Sequence, residues 1–366
     1  MKILHIDTRP DWRGGQHQIL LTMRGLRQLG HDAHLLTRAD SLLGQRAGAE
    51  NFAVHTFSPQ FARLQAVLCL KEILHQQGFD VIHAHDPHAL SVAWLARAHR
   101  RSALVASRRV AYPLGRTWPG LSRYRAAHRI IAVSKFVANS VLASGINAQH
   151  IGVVYDGVEL PALVTPEERR VARQKWSISD STKLIGCVGY LLPEKGQELL
   201  VRAMKTVIAE FPDCKLILAG DGPMRSRLNA LATELALSNA VIFAGFVADI
   251  VAVYRALDIF AFPSVAEPLG SSLLTAMAHG LPAVAAASGG VPEIIEDGRD
   301  GILVNAPDAA EIAGAVCKLL RNPQLAHQLA ASARDTISHR FTTALLAQNT
   351  LREYEIALKL AISDNL

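Results

Sequence analysis

The alternation of short apolar runs with amphipathic stretches is the feature that most constrains the fold of this chain. The apolar runs, such as KILHI (residues 2–6), VIHAH (81–85) and RIIAVS (129–134), have the length and residue types of buried strands. The amphipathic stretches between them, such as residues 16–29, end at a glycine, as helices often do. This alternation predicts an α/β fold in which a mostly parallel sheet carries helices on both faces.

A polar segment that contains prolines interrupts the alternation near the middle of the chain. We therefore predict a first Rossmann-like, doubly wound domain over residues 1–158, a linker region over 159–183 and a second such domain over 184–341. The 366 residues are enough for two domains, each with its own core. The last helical pattern, 342–366, could cap the second domain or return to the first, and we expect it to complete the first. Sheets of this kind bind ligands at the carboxyl ends of their strands, so two such domains can bring two substrates together in one cleft.

The cysteines and the apolar segments exclude several classes of protein. The four cysteines lie far apart, with no CxxC pair and no cluster with histidine at metal spacing, which indicates a reduced, cytoplasmic protein. The apolar run at residues 1–7 is too short for a signal peptide, and we interpret it as a first strand. No run of about 18 apolar residues occurs, so we predict no membrane span.

The formal net charge of +6 is distributed unevenly along the chain. Nine arginines fall within one stretch of the first half: Arg97, Arg100, Arg101, Arg108, Arg109, Arg116, Arg123, Arg125 and Arg129. Such a cluster favours anionic partners, such as phosphate-bearing substrates or acidic lipid headgroups, although a solvated basic face is an equally simple explanation. No recognition motif or interleaved aromatic pattern accompanies the arginines, so we do not expect nucleic acid to be the partner.

One stretch of the second half combines a strand, a turn and a helix start, an arrangement that can bind an anion. The strand DIFAFPS is followed by the turn VAE and by the helical pattern PLGSSLLTAMAHG. The free backbone N–H groups of Leu269, Gly270 and Ser271, together with the positive end of the helix dipole, would bind a diphosphate. Glu267 in the turn would accept hydrogen bonds from hydroxyl groups next to the phosphates. From the pattern alone, an ordinary turn between a strand and a helix is the alternative.

With its flanks, this stretch makes the chain similar to the retaining GT-B glycosyltransferases of family 4, also called glycosyl transferases group 1. Residues 267–275 resemble the E-x7-E region of that family. The other matching segments are RGGQHQILL (13–21), VGYLLPEKG (188–196), LAGDGPMRSRL (218–228), VIFAGFVADI (241–250) and SGGVPEIIEDGRDGILV (288–304). The resemblance covers nearly the whole chain. It implies the GT-B architecture, with two Rossmann-like domains that face each other across a cleft, and transfer of a sugar from a nucleotide diphosphate sugar with retention of configuration.

The resemblance assigns three residues to catalysis. Lys195 matches a lysine beside the donor phosphates, where an ammonium group would neutralise the charge that grows on the leaving diphosphate. Glu267 matches the glutamate that contacts the transferred sugar, and His85 matches a histidine that approaches the sugar or the acceptor. Gly14 and Gly15 match a loop that lets the backbone approach the phosphates from the other domain. Each assignment has a simpler alternative. Lys195 could be a surface lysine, His85 a structural histidine, and Gly14 and Gly15 part of a simple tight turn.

The segment HAHDPH (83–88) places three histidines around the end of one predicted strand. We expect His83 to point to the opposite face of the sheet from His85, and His88 to lie at the start of the next helix. Imidazole and carboxylate groups so close together also allow a metal site. The chain has no two aspartates separated by one residue, the pair that holds a metal in other glycosyltransferases. We therefore predict that the reaction uses no metal or cofactor, with Lys195 and the helix terminus in place of the metal.

Two positions depart from the pattern of the family. Tyr190 stands where relatives usually carry an arginine, so one positive charge beside the diphosphate is missing. Thr275 stands where relatives carry the second glutamate, which grips both ribose hydroxyls, whereas threonine reaches one at most. A charge-assisted hydrogen bond contributes roughly 1.5–3 kcal/mol and a neutral one about 1 kcal/mol, so the change at Thr275 is expected to weaken donor binding roughly 10-fold. Phe246 lies in the segment that lines the nucleobase pocket in relatives.

These features predict a glycosyltransferase whose second domain binds the donor and whose first domain binds the acceptor. The expected acceptor loop, residues 108–120, contains Arg108, Arg109 and Arg116. Its charge suits an anionic glycan or glycolipid of the cell envelope, such as lipopolysaccharide core, with the enzyme in peripheral contact with the inner membrane. Two alternatives stay open: a GT-B sugar-nucleotide epimerase, and a non-catalytic GT-B protein that binds a glycan or a partner.

Overall fold

The chain forms two compact α/β units, each built around one parallel sheet. The structure, a computed structural model, describes residues 1–115, 118–305 and 308–363. Unit 1 comprises Met1–Gly157 and the C-terminal helix, and unit 2 comprises Val158–Thr342. The prediction of two Rossmann-like domains with parallel sheets is confirmed.

Seven parallel strands form the sheet of unit 1: β1 (Lys2–Ile6), β2 (Asp32–Arg38), β3 (Ala53–Phe57), β4 (Val81–Ala84), β5 (Ala103–Arg108), β6 (Arg129–Ala132) and β7 (Ile151–Val153). Their order is β3-β2-β1-β4-β5-β6-β7. The central strands are almost continuously apolar because helices cover both of their faces. The helices that connect the strands are α1 (Gly14–Gln28), α2 (Leu42–Ala49), α3 (Ala62–Gln76), α4 (Pro87–Leu95), α5 (Trp118–Arg125) and α6 (Lys135–Ala143).

Local sequence signals set the starts of these helices. Asp86 caps α4, since its carboxylate accepts hydrogen bonds from the backbone N–H groups of His88 and Ala89, and Pro87 occupies the first helical position. Ser134 caps α6 through the N–H of Val137. Because each helix follows a strand directly, these helix starts lie at the carboxyl edge of the sheet.

Six parallel strands form the sheet of unit 2, in the order β10-β9-β8-β11-β12-β13. They are β8 (Lys183–Val188), β9 (Cys214–Ala219), β10 (Val241–Gly245), β11 (Ile259–Phe262), β12 (Ala283–Ala286) and β13 (Ile302–Val304). The helices of this unit are α7 (Pro166–Gln174), α8 (Gln197–Glu210), α9 (Arg225–Glu234), α10 (Ile250–Ala256), α11 (Ser271–Ala278), α12 (Ala309–Arg321) and α13 (Pro323–Arg340). Short 3-10 helices occur at Ala98–Arg100, Ala148–His150, Pro193–Lys195 and Val291–Glu293.

The segment 159–183, which we expected to be a linker, lies within unit 2. Its helix α7 packs against α10, and the buried guanidinium of Arg173 holds it there. Arg173 donates to the backbone oxygens of Ala256, Ser179, Asp180 and Thr182 and to Oδ2 of Asp258 at 2.6 Å. Polar composition suggested a linker, but Arg173 pairs with three carbonyl groups of this segment, and Arg169 also donates to Asp258.

The last helix, α14 (Thr343–Ser363), packs on unit 1. It lies against α1 so closely that a Cβ at Gly25 would overlap the Cβ of Ala347. Arg129 at the start of β6 forms an ion pair with Glu353, and the ring of Tyr354 is buried against the sheet. In the part of the chain that is described, no helix combines the length and the apolar character that crossing a bilayer requires.

Candidate functional site

Each sheet has one point at which its strand order reverses direction, and Lys195, Glu267 and His85 follow strands that meet there. In unit 2 the reversal lies between the neighbouring strands β8 and β11, and in unit 1 it lies between β1 and β4. At such a point the loops that follow the two strands leave toward opposite faces of the sheet, which opens a crevice for ligands at the carboxyl ends.

The loop after β8 carries Lys195 to the crevice of unit 2. The short helix Pro193–Lys195 ends at Gly196, whose φ of +68° is the left-handed conformation that favours glycine. A Cβ at this position would overlap the carbonyl oxygen of Pro263, so glycine is also required for close packing against the end of β11. The N–H of Val265 donates to the carbonyl oxygen of Glu194 at 2.9 Å and ties the two loops together.

The loop after β11 brings Glu267 against Lys195. Lys195 Nζ lies 2.7 Å from Glu267 Oε2, and Ser264 Oγ donates to the same oxygen at 2.9 Å. The Glu267 side chain is 8% exposed, whereas that of Lys195 is 28% exposed. The ammonium group therefore still reaches solvent, and a ligand, from the side opposite the carboxylate. Two residues separated by 72 positions, both predicted for the site, are brought together.

The loop after β12 fixes the backbone of Glu267 from behind. The N–H of Gly290 donates to the carbonyl oxygen of Glu267 at 2.9 Å. Gly289 has a φ of +55°, and a Cβ there would overlap that same oxygen. Ser288 Oγ donates to the carbonyl oxygen of Ser264. Residues 288–290 were identified only as part of a family segment, so the roles of Ser264 and Gly289 in positioning Glu267 were missed.

Three residues separate the start of α11 from Glu267 of this ion pair. Gly270 precedes the helix with a φ of +122°, and no side chain caps the first turn. Leu269 is buried and Ser271 is half-buried. Thr275 uses its hydroxyl proton within the helix, because Oγ1 donates to the carbonyl oxygen of Ser271 at 2.9 Å. The same side chain also makes a hydrogen bond with the buried hydroxyl of Tyr254, so little of its hydrogen-bonding capacity is left for a ligand.

The predicted aromatic contacts, Tyr190 and Phe246, lie in loops at the same edge of this sheet. The N–H of Gly220 donates to the carbonyl oxygen of Gly245 at 2.8 Å, and a Cβ at Gly220 would overlap the carbonyl oxygen of Gly189. The backbone therefore brings the residues that follow Gly189 and Gly245 close to the loop after β9. Phe246 is largely exposed and Tyr190 is about half exposed, so both rings present surface to a ligand.

In unit 1, a chain of hydrogen bonds joins three buried histidines at the strand-order reversal. His5 Nδ1 lies 2.9 Å from His85 Nε2, and His83 bonds to the hydroxyls of Tyr354 and Ser107 at 2.7 and 2.8 Å. Ser107 Oγ also approaches His85 Nδ1 at 3.5 Å. Both ring nitrogens of His85 thus have protein partners, and His5 Nε2 is the one ring nitrogen of the three that lacks one.

The expectation that His83 points away from His85 is wrong. Their ring centroids lie 3.9 Å apart. Positions 83 and 85 are two residues apart, and the two-residue period of a strand puts them on one face. His88 lies in the first turn of α4, and its Nδ1 contacts Arg63.

Among the residues that the structure describes, His5, His83 and His85 form a group that could hold a metal. One ring nitrogen of each lies within 4.8 Å of the others, and the three side chains are buried. Five of their six ring nitrogens already make hydrogen bonds with one another, Ser107 or Tyr354, so metal binding would require these bonds to break. The arrangement fits a hydrogen-bonded cluster better than an open coordination site.

The remaining predicted contacts of unit 1 are not members of the histidine cluster. They are Gly14, Gly15, Arg108, Arg109 and Arg116. Gly14 and Gly15 open α1 just after β1, and a Cβ at Gly15 would meet open space. Arg108 is buried and donates to the carbonyl oxygen of Tyr112, and Arg109 forms an ion pair with Asp156. Both guanidinium groups therefore hold the loop in place, which leaves less of their charge for a ligand. Arg116 lies outside the described residues.

Burial shifts the pKa values of the groups at this point of unit 1. Burial lowers the pKa of His5 to about 3 and holds the pKa values of His83 and His85 well below the usual range, so all three are neutral at pH 7. Burial and the nearby charge of Asp86 raise the pKa of Asp7 to about 7, against the opposing effect of a hydrogen bond from Gln16. Asp7 belongs to no motif, so it was not predicted as a site residue, although it directly follows β1.

These shifts predict that unit 1 loses stability in acid. The unfolded chain protonates the three histidines below about pH 6.5 and the folded chain does not, so their contribution falls as pH drops. Asp7 has the opposite sign, since the folded chain keeps its proton between about pH 3.8 and 7. Three histidines that take up protons only when unfolded outweigh one aspartic acid of opposite sign, so the free energy of unfolding should fall as the pH drops from about 6 to 4. Urea unfolding at several pH values measures this slope.

A matched variant identifies the groups responsible for this slope. His5→Asn removes one titrating ring, so the slope should fall by about 1.4 kcal/mol per pH unit. His75→Asn, at an exposed position on α3, should leave it unchanged. An unaltered slope in the His5 variant would show that the buried cluster does not titrate as proposed.

The chain is similar to several known proteins over most of its length. Residues 168–336 match the family described as "Glycosyl transferases group 1", and residues 12–161 match that described as "Glycosyltransferase Family 4". A D-inositol 3-phosphate glycosyltransferase of Mycobacterium sp. (strain KMS) is 31% identical over 304 residues, which cover 76% of this chain and 68% of that protein. An uncharacterized glycosyltransferase of Methanocaldococcus jannaschii, MJ1607, is 31% identical over 246 residues, 66% of this chain. The match spans 63% of the length of MJ1607.

A solved structure matches almost the whole chain. The Anabaena protein Alr3699/HepE, crystallised in complex with UDP and glucose, has a TM-score of 0.84 and 25% identity. The match covers 96% of this chain and 98% of that one.

Proposed function

Because this chain belongs to the GT-B glycosyltransferases, we propose that it transfers a sugar from a nucleotide diphosphate sugar to an acceptor hydroxyl. The observation that carries the proposal is the contact of 2.7 Å between Lys195 and Glu267 at the strand-order reversal of unit 2, beside the uncapped start of α11. A cation, a carboxylate and a helix N-terminus in one crevice are the groups that a sugar diphosphate requires.

The proposed roles follow from charge and hydrogen-bonding capacity. The diphosphate lies at the first turn of α11, where the N–H groups of Leu269, Gly270 and Ser271 donate to it. Lys195 neutralises the negative charge that grows on the leaving diphosphate, so its effect is larger in the transition state than in the ground state. Glu267, held by Ser264, accepts hydrogen bonds from the sugar hydroxyls.

We propose that the reaction retains the anomeric configuration and needs no metal. The bond between the anomeric carbon and the diphosphate oxygen breaks, and its electron pair stays on the diphosphate. The acceptor oxygen attacks the same face of the sugar, and its proton passes to the leaving phosphate oxygen. Glu267 is already engaged by Lys195 and Ser264, which suits a positioning role for it better than that of a nucleophile.

The donor that we propose is a uridine diphosphate sugar, and the acceptor is an anionic glycolipid of the cell envelope such as lipopolysaccharide core. The complex of the Anabaena relative with UDP and glucose supports the choice of nucleotide. The exposed arginines of the basic stretch support an anionic acceptor: Arg97, Arg100, Arg101 and Arg125. The enzyme would then work on the cytoplasmic side of the inner membrane.

Thermal shifts with uridine, guanosine, adenosine and cytidine diphosphates and their sugars test this proposal. A bound nucleotide stabilises the fold by RT ln(1 + [L]/Kd), so the melting temperature should rise with UDP and its sugars. Slow hydrolysis of the preferred nucleotide sugar without acceptor should then be detectable. If none of these nucleotides stabilises the protein and none of the sugars is hydrolysed, the proposed function is wrong.

Thr275→Glu is expected to tighten nucleotide binding roughly 10-fold. A carboxylate on the second turn of α11 can accept hydrogen bonds from both ribose hydroxyls, and a charge-assisted bond is stronger by about 1–2 kcal/mol than a neutral one. Isothermal titration with UDP measures the change. The Thr275→Gln side chain has nearly the same shape as that of Thr275→Glu but no charge, so its affinity for UDP should rise much less. Equal affinities for all three proteins would show that the ribose binds elsewhere.

A further inference from the structure

The outward face of α3 in unit 1 carries an apolar stripe that nothing in the described chain covers. Phe61, Leu64 and Leu68 are 83%, 60% and 52% exposed. Their spacing of three and four residues places them on one side of the helix. The opposite side of α3, with Ala66, Leu70 and Ile73, packs into the core. Large side chains at such exposures in a contiguous row are typical of interaction surfaces.

We propose that this α3 face, Phe61–Leu64–Leu68, docks on the surface of an anionic lipid bilayer and inserts its apolar side chains among the headgroups. The inference deepens the proposed function and rests on it only for the idea that the acceptor is a lipid. Amphipathic surface helices that bind membranes combine such an apolar row with neighbouring cations.

The backbone conformation of Phe61 suggests that its ring is kept for a contact outside the protein. Phe61 has a φ of +51°, a left-handed conformation that a bulky residue rarely adopts. Its carbonyl oxygen accepts hydrogen bonds from the N–H groups of Leu64 and Gln65 and so starts α3. A glycine or asparagine would suit this backbone better, and an apolar ring gains nothing here from burial in the protein.

The charges around α3 suit an anionic partner. Arg63 and Lys71 are exposed on the helix, and Arg101 adjoins its end by donating to the carbonyl oxygen of Leu74 at 3.2 Å. Glu72 is the one acidic residue of α3. Beyond it, the sequence contains no aspartate or glutamate between Asp86 and Asp156, a stretch with nine arginines and Lys135. Arg108 and Arg129 are buried in contacts within unit 1, whereas Arg97, Arg100 and Arg101 are exposed. These exposed cations attract anionic headgroups, and Arg101 joins the basic region to α3.

The apolar stripe begins at the carboxyl edge of the unit 1 sheet. Helix α3 follows β3, and Arg63 in its first turn contacts the ring of His88 at the start of α4, 3.3 Å away. Asp86 and His85 directly precede α4. A lipid held under Phe61 would therefore present its headgroup near the strand-order reversal of unit 1, where the acceptor is expected.

Co-sedimentation of the full chain with vesicles of phosphatidylglycerol and phosphatidylcholine tests the proposal. The wild type should bind mixed vesicles and bind pure phosphatidylcholine much less. The triple variant Phe61→Ser/Leu64→Ser/Leu68→Ser should bind the mixed vesicles about 100-fold more weakly. It lacks three apolar side chains, each of which the bilayer would bury by about half. Leu163→Ser, at a 65% exposed leucine in unit 2, is the matched control and should bind as the wild type does.

Three results would overturn the proposal. The first is equal vesicle binding by the triple variant and the wild type. The second is wild-type binding to RNA or heparin with none to vesicles, which would identify a polyanion as the partner. The third is a dimeric wild type and a monomeric triple variant with no vesicle binding by either, which would make the face an interface between copies. Hydrolysis of the donor in solution should be unaffected by the triple substitution, so this assay distinguishes failure of the docking proposal from failure of the proposed transferase function.

Discussion

Replacing Lys195 by alanine is expected to lower kcat for sugar transfer by about 10²–10³-fold. The loss of one preorganised group that stabilises developing negative charge has effects of this size. Lys195 is the cation held at the strand-order reversal of unit 2, and its ion pair with Glu267 fixes the ammonium group. Because the charge on the diphosphate grows in the transition state, kcat should fall more than the affinity for the donor. Initial rates with the preferred nucleotide sugar measure both quantities.

Two controls show whether the effect belongs to the site. Lys205→Ala removes an exposed lysine on α8 and should leave kcat unchanged. Glu267→Gln keeps the shape of the partner but not its charge, and should reduce activity while UDP still binds. A Lys195→Ala enzyme with more than half of the wild-type kcat would mean that another group stabilises the diphosphate and that our placement of the donor is incorrect.

Replacing Arg173 by alanine is expected to destabilise unit 2 by about 3–5 kcal/mol. The Arg173 side chain is 1% exposed, and its removal leaves several buried carbonyl groups and Asp258 without this partner. The cost arises mainly from the buried carbonyl groups, because Asp258 keeps its ion pair with Arg169 at 2.7 Å. Each buried polar group left without a partner costs about 1–3 kcal/mol. For a domain of this size the melting temperature should fall by roughly 6–20 °C.

Thermal unfolding followed by circular dichroism measures this loss. Arg170→Ala is the matched control, since Arg170 lies on the same helix in an exposed pair with Glu167, and such pairs contribute less than about 1 kcal/mol. A similar melting temperature for the Arg173 and Arg170 variants would show that 159–183 is held to unit 2 by something other than the buried guanidinium.

The local pattern of the sequence predicts most of the secondary structure. The run 2–6 predicts β1 to the residue, and the stretch 16–29 falls within two residues of α1 at either end. Strands that are buried on both faces must be apolar, and helices between them must be amphipathic, so each element carries its own signal. The same pattern failed at 159–183, where a polar segment is ordered by partners far along the chain, such as Asp258.

The candidate site could be predicted only where its residues carry a motif. Lys195 and Glu267 stand in recognisable segments, whereas Ser264 and Gly289 act on Glu267 through backbone packing that no single segment displays. Tyr354 reaches His83 from 271 residues away, so nothing near either residue announces the contact. Positions whose roles depend on long-range contacts become visible only when the topology is known.

The return of α14 to unit 1 has a consequence for the order of events on the ribosome. Unit 2 stands between the two parts of unit 1 in the chain, so it can fold while unit 1 still lacks its last helix. At about 5–20 residues per second, synthesis of unit 2 takes on the order of 10–40 s. During that interval the face of the first sheet that receives Tyr354 stays uncovered and His83 lacks its phenolic partner. The nascent chain thus exposes an apolar surface that chaperones can bind, and unit 1 matures after the domain that follows it.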